Sequence, residues 1–179
     1  MKVLLLENID NYAITYFTNL GYSIDIHNTS LSKDKLLEII TDYNIIGIRS
    51  KTQIDKDIID KAKNLLVIGC FCIGTNQVDL EYCSKKGISV INSPFMNTRS
   101  VAELVISHII NLSRQVNMRN IEMHNKVWNK TSLNSIEIRN KTIGIIGYGH
   151  VGSQVSILAE AFGMKVIYYD IKNIMNLGN

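Results

Sequence analysis

The chain has 179 residues, 46% of them apolar and 20% charged, and a formal net charge of +3. That is room for one large or two small domains, with enough apolar mass for a core and too little charge for disorder. The basic residues are scattered and no apolar run approaches the roughly 18 residues of a membrane span, which argues against nucleic-acid and membrane partners.

Val3–Leu6 is a short apolar run with acids close behind it. It predicts a first strand rather than a signal peptide, and a cytoplasmic chain. Ile9, Ala13, Tyr16, Phe17 and Leu20 recur at helical spacing, and Gly21 stops the run. Tyr22–His27 predicts a strand, Ser32–Ile40 a helix and Ile45–Ile48 a strand. Asp55–Lys63 predicts a charged helix with Ile58, Ile59 and Ala62 turned inward. Leu65–Ile68, Asp79–Lys86 and Ile88–Ile91 predict strand, helix and strand. Short apolar runs alternating with amphipathic helices imply an α/β fold whose mostly parallel sheet is covered on both faces.

Pro94, the only proline, follows this unit and sets a boundary near Pro94–Asn97, hence domains 1–94 and 95–179. From Thr98 to about Met118, Val101, Leu104, Val105, His108, Ile109 and Leu112 keep helical spacing and predict one long helix. A polar connection, Asn125–Asn140, leads to IGIIGYGHVGSQ at Ile143–Gln154.

Gly147, Gly149 and Gly152 have G-x-G-x-x-G spacing between an apolar strand run, Ile143–Ile146, and an amphipathic run, Val151–Phe162. A second strand run, Lys165–Tyr169, ends at Asp170, 18 residues past the last glycine. This is the order of a dinucleotide-binding βαβ unit. Gly147 permits the tight turn, Gly149 lets a pyrophosphate approach the backbone, and Gly152 lets helix and strand pack closely. The helix start, at His150 and Val151, offers N–H groups and a positive dipole end. Asp170 can accept both ribose hydroxyls and would repel a 2′-phosphate, so the expected cofactor is NAD and not NADP. The bland alternative is a glycine-rich turn in some other α/β protein. Only nine residues follow Asp170, which predicts an unfinished nucleotide sheet with an unpaired edge and an uncovered apolar face.

Further segments add to this: RSKT at Arg49–Thr52, IGCFCIGTNQVD at Ile68–Asp79, NSPFMNTRSVAEL at Asn92–Leu104 and VWNK at Val127–Lys130. With the glycine fingerprint, they closely resemble the bacterial-type D-3-phosphoglycerate dehydrogenases, a branch of the D-isomer-specific 2-hydroxyacid dehydrogenase family, over essentially the whole chain. The resemblance implies a flavodoxin-like substrate domain in 1–94, followed in 95–179 by the first βαβ part of a Rossmann domain. It implies NAD-dependent oxidation of 3-phospho-D-glycerate to 3-phosphohydroxypyruvate, the first step toward serine. It also implies a homo-oligomer formed through the nucleotide domains, with the long helix and the Trp128 region in the contact. Packing of Trp128 within its own subunit is the alternative. Rival functions are a dehydrogenase of an unphosphorylated 2-hydroxy acid, or a non-catalytic dinucleotide-binding or dimerising remnant.

The residue types suit such a substrate. Arg49, next to Ser50 and just after a buried strand, could form a forked pair with an anion; a surface ion pair is the alternative. Lys51 and Lys130 could add point charges for the phosphate. By resemblance, the turn containing Ile73 and Gly74 holds the substrate carboxylate, while Asn97, Ser100 and Val101 lie near the nicotinamide. The family's catalytic histidine, glutamate and arginine come from later in the chain, and no segment here matches them. A serine-binding regulatory domain is likewise unmatched. The resemblance therefore implies a truncated portion that is inactive alone, whether a fragment, a shortened gene product or half of a split protein.

None of the four histidines is promoted to fill that role. His150 lies in the fingerprint, His108 reads as a packed core residue, and His27 and His124 read as strand-end and helix residues. Cys70, Cys72 and Cys83 form no metal-ligand pattern and read as structural thiols, the first two buried on a strand.

Overall fold

The structure, a computed structural model, describes residues 1–172. The chain divides into two compact units, Met1–Pro94 and Phe95 onward. Among the described residues no helix is long and apolar enough to cross a membrane.

The first unit is a five-stranded parallel sheet in the order β2-β1-β3-β4-β5. Its strands are β1 (Lys2–Leu6), β2 (Ser23–His27), β3 (Ile45–Ile48), β4 (Val67–Cys70) and β5 (Ser89–Asn92). Helices α1 (Asn11–Asn19), α2 (Lys33–Ile39), α3 (Lys56–Lys61) and α4 (Leu80–Lys86) connect them. This is the flavodoxin-like order, with a topological switch between β1 and β3. Alternation along β1 divides the core. Val3 and Leu5 pack with Ile9, Phe17 and Tyr22 on the α1 face. Leu4 and Leu6 join Leu36, Ile46, Ile48, Ile58 and Ile68 on the other face. Each such fully buried side chain contributes about 1.5–3 kcal/mol.

Helix starts follow side-chain caps. Asp10, Ser32, Asp55 and Asp79 each accept the N–H two or three residues on. Gly87, at φ 73°, ends α4 in the left-handed conformation. The fourth strand begins at Val67, later than the apolar run predicts: Leu65 is buried before the strand, and the ladder pairs residues 67–70 with 45–48.

The second unit contains α5 (Thr98–Arg114), α6 (Val116–His124), β6 (Thr142–Ile146), α7 (His150–Ala161) and β7 (Lys165–Tyr169). The expected single helix to Met118 is broken at Gln115, which takes φ 54°. The amide of Gln115 donates to the Leu133 carbonyl (2.9 Å), and the Ser113 carbonyl accepts the Ile136 N–H (2.9 Å). These tertiary bonds capture the last turn of α5 where no glycine or proline marks a stop. Ala102 and Ile106 form the buried side of α5, and Ile106 packs with Ala159 and Met164. His108 is therefore not a core residue: it is exposed, as are Leu104 and Leu112 on the same stripe. The apolar residues of α5 form two faces, and the buried one is the face with the small Ala102. β6 and β7 pair in parallel, with Ile146, Ile167 and Tyr169 exposed on one side of the ribbon.

Candidate functional site

In the first unit the chemistry gathers at the carboxyl ends of the strands, around the β1/β3 switch. Ligands of open parallel sheets bind there because the connections diverge and leave a crevice. Glu7 follows β1, the 49–52 turn follows β3 and the 71–74 turn follows β4. Glu7 is buried, yet it is charged: its carboxylate accepts N–H groups from Thr52 (2.8 Å), Lys51 (3.0 Å) and Arg49 (3.2 Å). Burial raises its pKa. The Thr52 hydroxyl and the three N–H groups outweigh burial and hold the carboxyl below the ordinary glutamate range.

Gln77, also buried, ties this turn to the next. Its amide donates to the carbonyls of Arg49 (2.8 Å) and Gly74 (3.2 Å). The carbonyls of the 72–74 turn are all engaged: Cys72 accepts from Ser93 N–H, Ile73 from the Asn92 amide, and Gly74 from Gln77. Among the described residues, the N–H groups of Cys72, Ile73 and Gly74 have no acceptor within the chain. Among the described residues, neither the Arg49 nor the Lys51 side chain makes an ion pair. Two open hollows adjoin Arg49. One, of about 470 Å³, is lined by Asn8, Ile9, Asp10, Asn11, Arg49 and Phe71. The other, of about 450 Å³, brings Arg49, Ser50 and Lys51 together with Glu7, Asn8, Asn28, Thr29 and Ser30. The Phe71 ring covers Gly47 and Gly69: a Cβ would lie 3.0 and 3.3 Å from it respectively.

In the second unit the three fingerprint glycines have separate causes. Gly147 has φ 90°, a left-handed conformation that side chains oppose. A Cβ on Gly152 would lie 2.2 Å from the Gly147 carbonyl oxygen, an impossible approach. A Cβ on Gly149 would meet nothing within 4 Å, because it would point into a hollow of about 740 Å³. That hollow is lined by Gly147, Gly149, His150, Ser153, Tyr169 and Asp170, among others. Gly149 caps α7 without a side chain, so the first N–H groups of the helix, at His150, Val151 and Gly152, have no capping acceptor. Open space above a bare helix start suits a pyrophosphate.

Asp170 has a structural role of its own. One carboxylate oxygen accepts the Tyr148 N–H (2.7 Å) and the other the Lys172 N–H (2.8 Å), and these bonds lower its pKa, the Lys172 contribution first. It thus clamps the glycine loop to the end of β7. The Tyr148 ring stacks on Tyr168 and its hydroxyl donates to Ser156. The start of α5 lies beside this loop: Arg99 reaches Gln154 (3.4 Å), and Phe95 meets the His150 ring edge-on with centroids 4.4 Å apart. Asn97, Ser100 and Val101 are therefore near the fingerprint within their own unit.

Lys130 belongs to the second unit and is exposed. Trp128 is 75% exposed among the described residues. Cys70 is buried on β4, whereas Cys72 lies past the strand in the turn, half-buried, with its thiol donating to the Gly74 carbonyl. Burial pushes the Cys70 thiol up to about 11. The sequence reading missed Glu7 and Gln77. A glutamate directly behind a fully apolar strand, and a glutamine among the residues that follow the 72–74 turn, were the only signals.

Residues 3–168 match the family described as D-isomer specific 2-hydroxyacid dehydrogenase, catalytic domain. D-3-phosphoglycerate dehydrogenase 1 of Saccharomyces cerevisiae is 57% identical over 178 residues, which is 99% of this chain and 38% of the yeast protein. D-3-phosphoglycerate dehydrogenase of Escherichia coli K12 is 49% identical over 180 residues, covering all of this chain and 44% of that enzyme. The chain thus spans about two-fifths of the length of these relatives. The crystal structure of D-lactate dehydrogenase from Aquifex aeolicus, complexed with NAD and lactic acid, superposes with a TM-score of 0.80 at 25% identity, over 97% of this chain and 52% of that one. The parallel sheet order agrees with that match: the chain belongs to the D-isomer specific 2-hydroxyacid dehydrogenase family.

Proposed function

We propose that the protein oxidises the 2-hydroxyl of 3-phospho-D-glycerate to a ketone with NAD as acceptor, the first step of serine synthesis. One observation carries the reading. Two cations without ion pairs among the described residues, Arg49 and Lys51, line one hollow, and Gln77 ties the Arg49 carbonyl to a turn whose N–H groups at residues 72–74 have no acceptor within the described chain. A substrate bearing both a phosphate and a carboxylate needs two such anion sites close together. Arg49, with its planar fork, suits one charged end, and the backbone of Ile73 and Gly74 suits the carboxylate. Ser50 adds a hydroxyl beside Arg49.

Bound NAD supplies the hydride acceptor. This chain's residues would hold it: the N–H groups of His150, Val151 and Gly152 for the pyrophosphate, and Asp170 for the ribose. Among the described residues, no histidine hydrogen-bonds a carboxylate, the pairing that acid–base work on the hydroxyl needs. The chain alone is therefore proposed to bind without turnover. The test is 3-phosphoglycerate-dependent NADH formation, beside direct binding of each ligand. Binding of 3-phosphoglycerate no tighter than of unphosphorylated D-glycerate would overturn the substrate reading. Free thiols at Cys70, Cys72 and Cys83 support a reducing, cytoplasmic setting.

We also propose self-association through the second unit. Leu104, Leu112, Met118, Ile121 and Trp128 are all exposed there, and a scattered surface rarely presents so many large apolar groups. Sedimentation of the chain with and without Trp128→Ala and Leu112→Ser checks this; equal association states would count against it.

A further inference from the structure

Glu7 stands out among the groups that the proposed reaction does not use. It is one of four buried polar or charged side chains among the described residues, and the only carboxylate among them. It is also conformationally costly. Glu7 and Asn8 have φ of 66° and 55°, consecutive left-handed residues without a glycine. Such a backbone conformation persists only where the surroundings over-determine it. What over-determines it is the 49–52 turn, more than forty residues away in sequence. Three N–H groups of that turn converge on one carboxylate. Such a concavity of N–H groups ordinarily takes a ligand's phosphate or carboxylate. Here the chain's own carboxylate fills it.

The consequence lies in what Glu7 leaves alone. Its lone pairs go to backbone N–H groups, and the Arg49 and Lys51 side chains form no ion pair with it. The turn is fixed while, among the described residues, its two cations make no ion pair beside the hollows. We propose that Glu7 is a positioning residue, whose buried carboxylate holds the 49–52 turn so that Arg49 and Lys51 meet an anionic substrate in one fixed geometry. This rests on the reading of that cluster as a substrate site.

The sign of one substitution separates positioning from simple electrostatics. Glu7→Gln removes a negative charge close to two cations. By Coulomb's law alone it should tighten binding of an anion. It also turns an amide NH₂ toward the turn. An amide oxygen can keep the Arg49 and Thr52 bonds, but the NH₂ group faces the Lys51 N–H, donor against donor. Positioning therefore predicts weaker binding, by about tenfold to a hundredfold, the scale of a misplaced binding group.

The experiment is calorimetric titration of the 179-residue chain and its Glu7→Gln variant with 3-phosphoglycerate, well below both melting temperatures. NADH affinity, a property of the second unit, is the control and should not change. Weaker 3-phosphoglycerate binding with unchanged NADH binding supports the proposal; equal or tighter binding overturns it. Hydrogen exchange of the Arg49, Lys51 and Thr52 amides is read on both proteins. If the unaltered chain ignores 3-phosphoglycerate, the substrate reading fails separately. The amides then decide the positioning role: loss of their protection in the variant supports it, and unchanged protection overturns it.

Discussion

The two units present N–H groups to anions by opposite means. In the second, a helix start is stripped of side chains: Gly149 caps α7, and the space above it is empty of protein. In the first, a comparable set of N–H groups, at residues 49–52, is occupied by a buried side chain, and charged groups on the same turn are left to bind. A bare backbone site suits a pyrophosphate that every dinucleotide shares. A site built of side chains on a locked turn can be particular about its ligand, because the number and spacing of the cations are fixed. Under the proposed function, the difference teaches that one unit serves a common group and the other a chosen one.

The largest expected effect breaks the bare site. Gly152→Ala puts a methyl group 2.2 Å from the Gly147 oxygen, so helix and loop must separate. We expect about 1–3 kcal/mol of destabilisation, or more, with loss of NADH binding. Gly149→Val is the contrast: nothing of the protein lies in the way, so melting should move by no more than about 0.5 kcal/mol while NADH affinity falls. Thermal melts beside NADH fluorescence titrations check both. Equal melting of the two variants would show that the loop yields as the structure says it does not. In the other unit, Arg49→Met should weaken 3-phosphoglycerate binding about tenfold to a hundredfold, the worth of a charge-assisted hydrogen bond, with NADH binding unchanged. Its side chain is exposed and makes no ion pair among the described residues, so stability should hold.

The same contrast governs what could be read in the sequence. The glycine loop is local. Its strand, turn, helix and acidic residue lie within thirty residues and each acts on near neighbours, so spacing alone revealed it. The first unit's rhythm of strands and helices was legible for the same reason, since every element has its own period and cap. Its site was not, because it exists only where β1, β3 and β4 end side by side. Glu7 reaches Thr52 across 45 positions, and Gln77 reaches Arg49 across 28. No periodicity encodes such a contact, so Arg49 was found by resemblance and Glu7 was not found. The α5 stripe failed for a related reason. Two apolar faces on one helix give two self-consistent readings, and packing against α7 selected the face of Ala102 and Ile106 over that of Leu104 and His108.

Asp170 sharpens the comparison, because among the described residues it is the one carboxylate lining the hollow at the bare site. It closes the loop through the Tyr148 N–H as Glu7 closes the 49–52 turn, but it remains accessible enough to meet a ribose. Asp170→Asn keeps an oxygen for one N–H and removes the charge. The preference for NADH over NADPH should fall about tenfold, as one charge–charge repulsion at the surface disappears. The ratio of the two dissociation constants measures it. Equal affinities in the unaltered chain would leave Asp170 as a loop clamp only.

The smallest effect is in stability against pH, and it isolates Glu7. Burial pushes this carboxyl up, but the Thr52 hydroxyl and the N–H groups of Thr52, Lys51 and Arg49 together bring it below the ordinary value. Between the folded and the ordinary pKa, the unfolded chain carries a proton that the folded chain lacks. Acidification through that interval therefore favours unfolding. The contribution is complete above the ordinary glutamate pKa and is lost as pH falls through the folded one. Asp25 and Asp55 are lowered too, Asp25 chiefly by the Tyr43 hydroxyl and Asp55 by Lys33, so the unaltered chain loses stability in acid for several reasons at once. Those contributions are common to Glu7→Gln and cancel in the difference. Urea unfolding of both proteins should show a gap that is constant above about pH 5 and narrows below it. A gap that stays constant into the acid range would mean that the three N–H groups do not favour the charged carboxylate. The first unit would then hold its turn by shape alone.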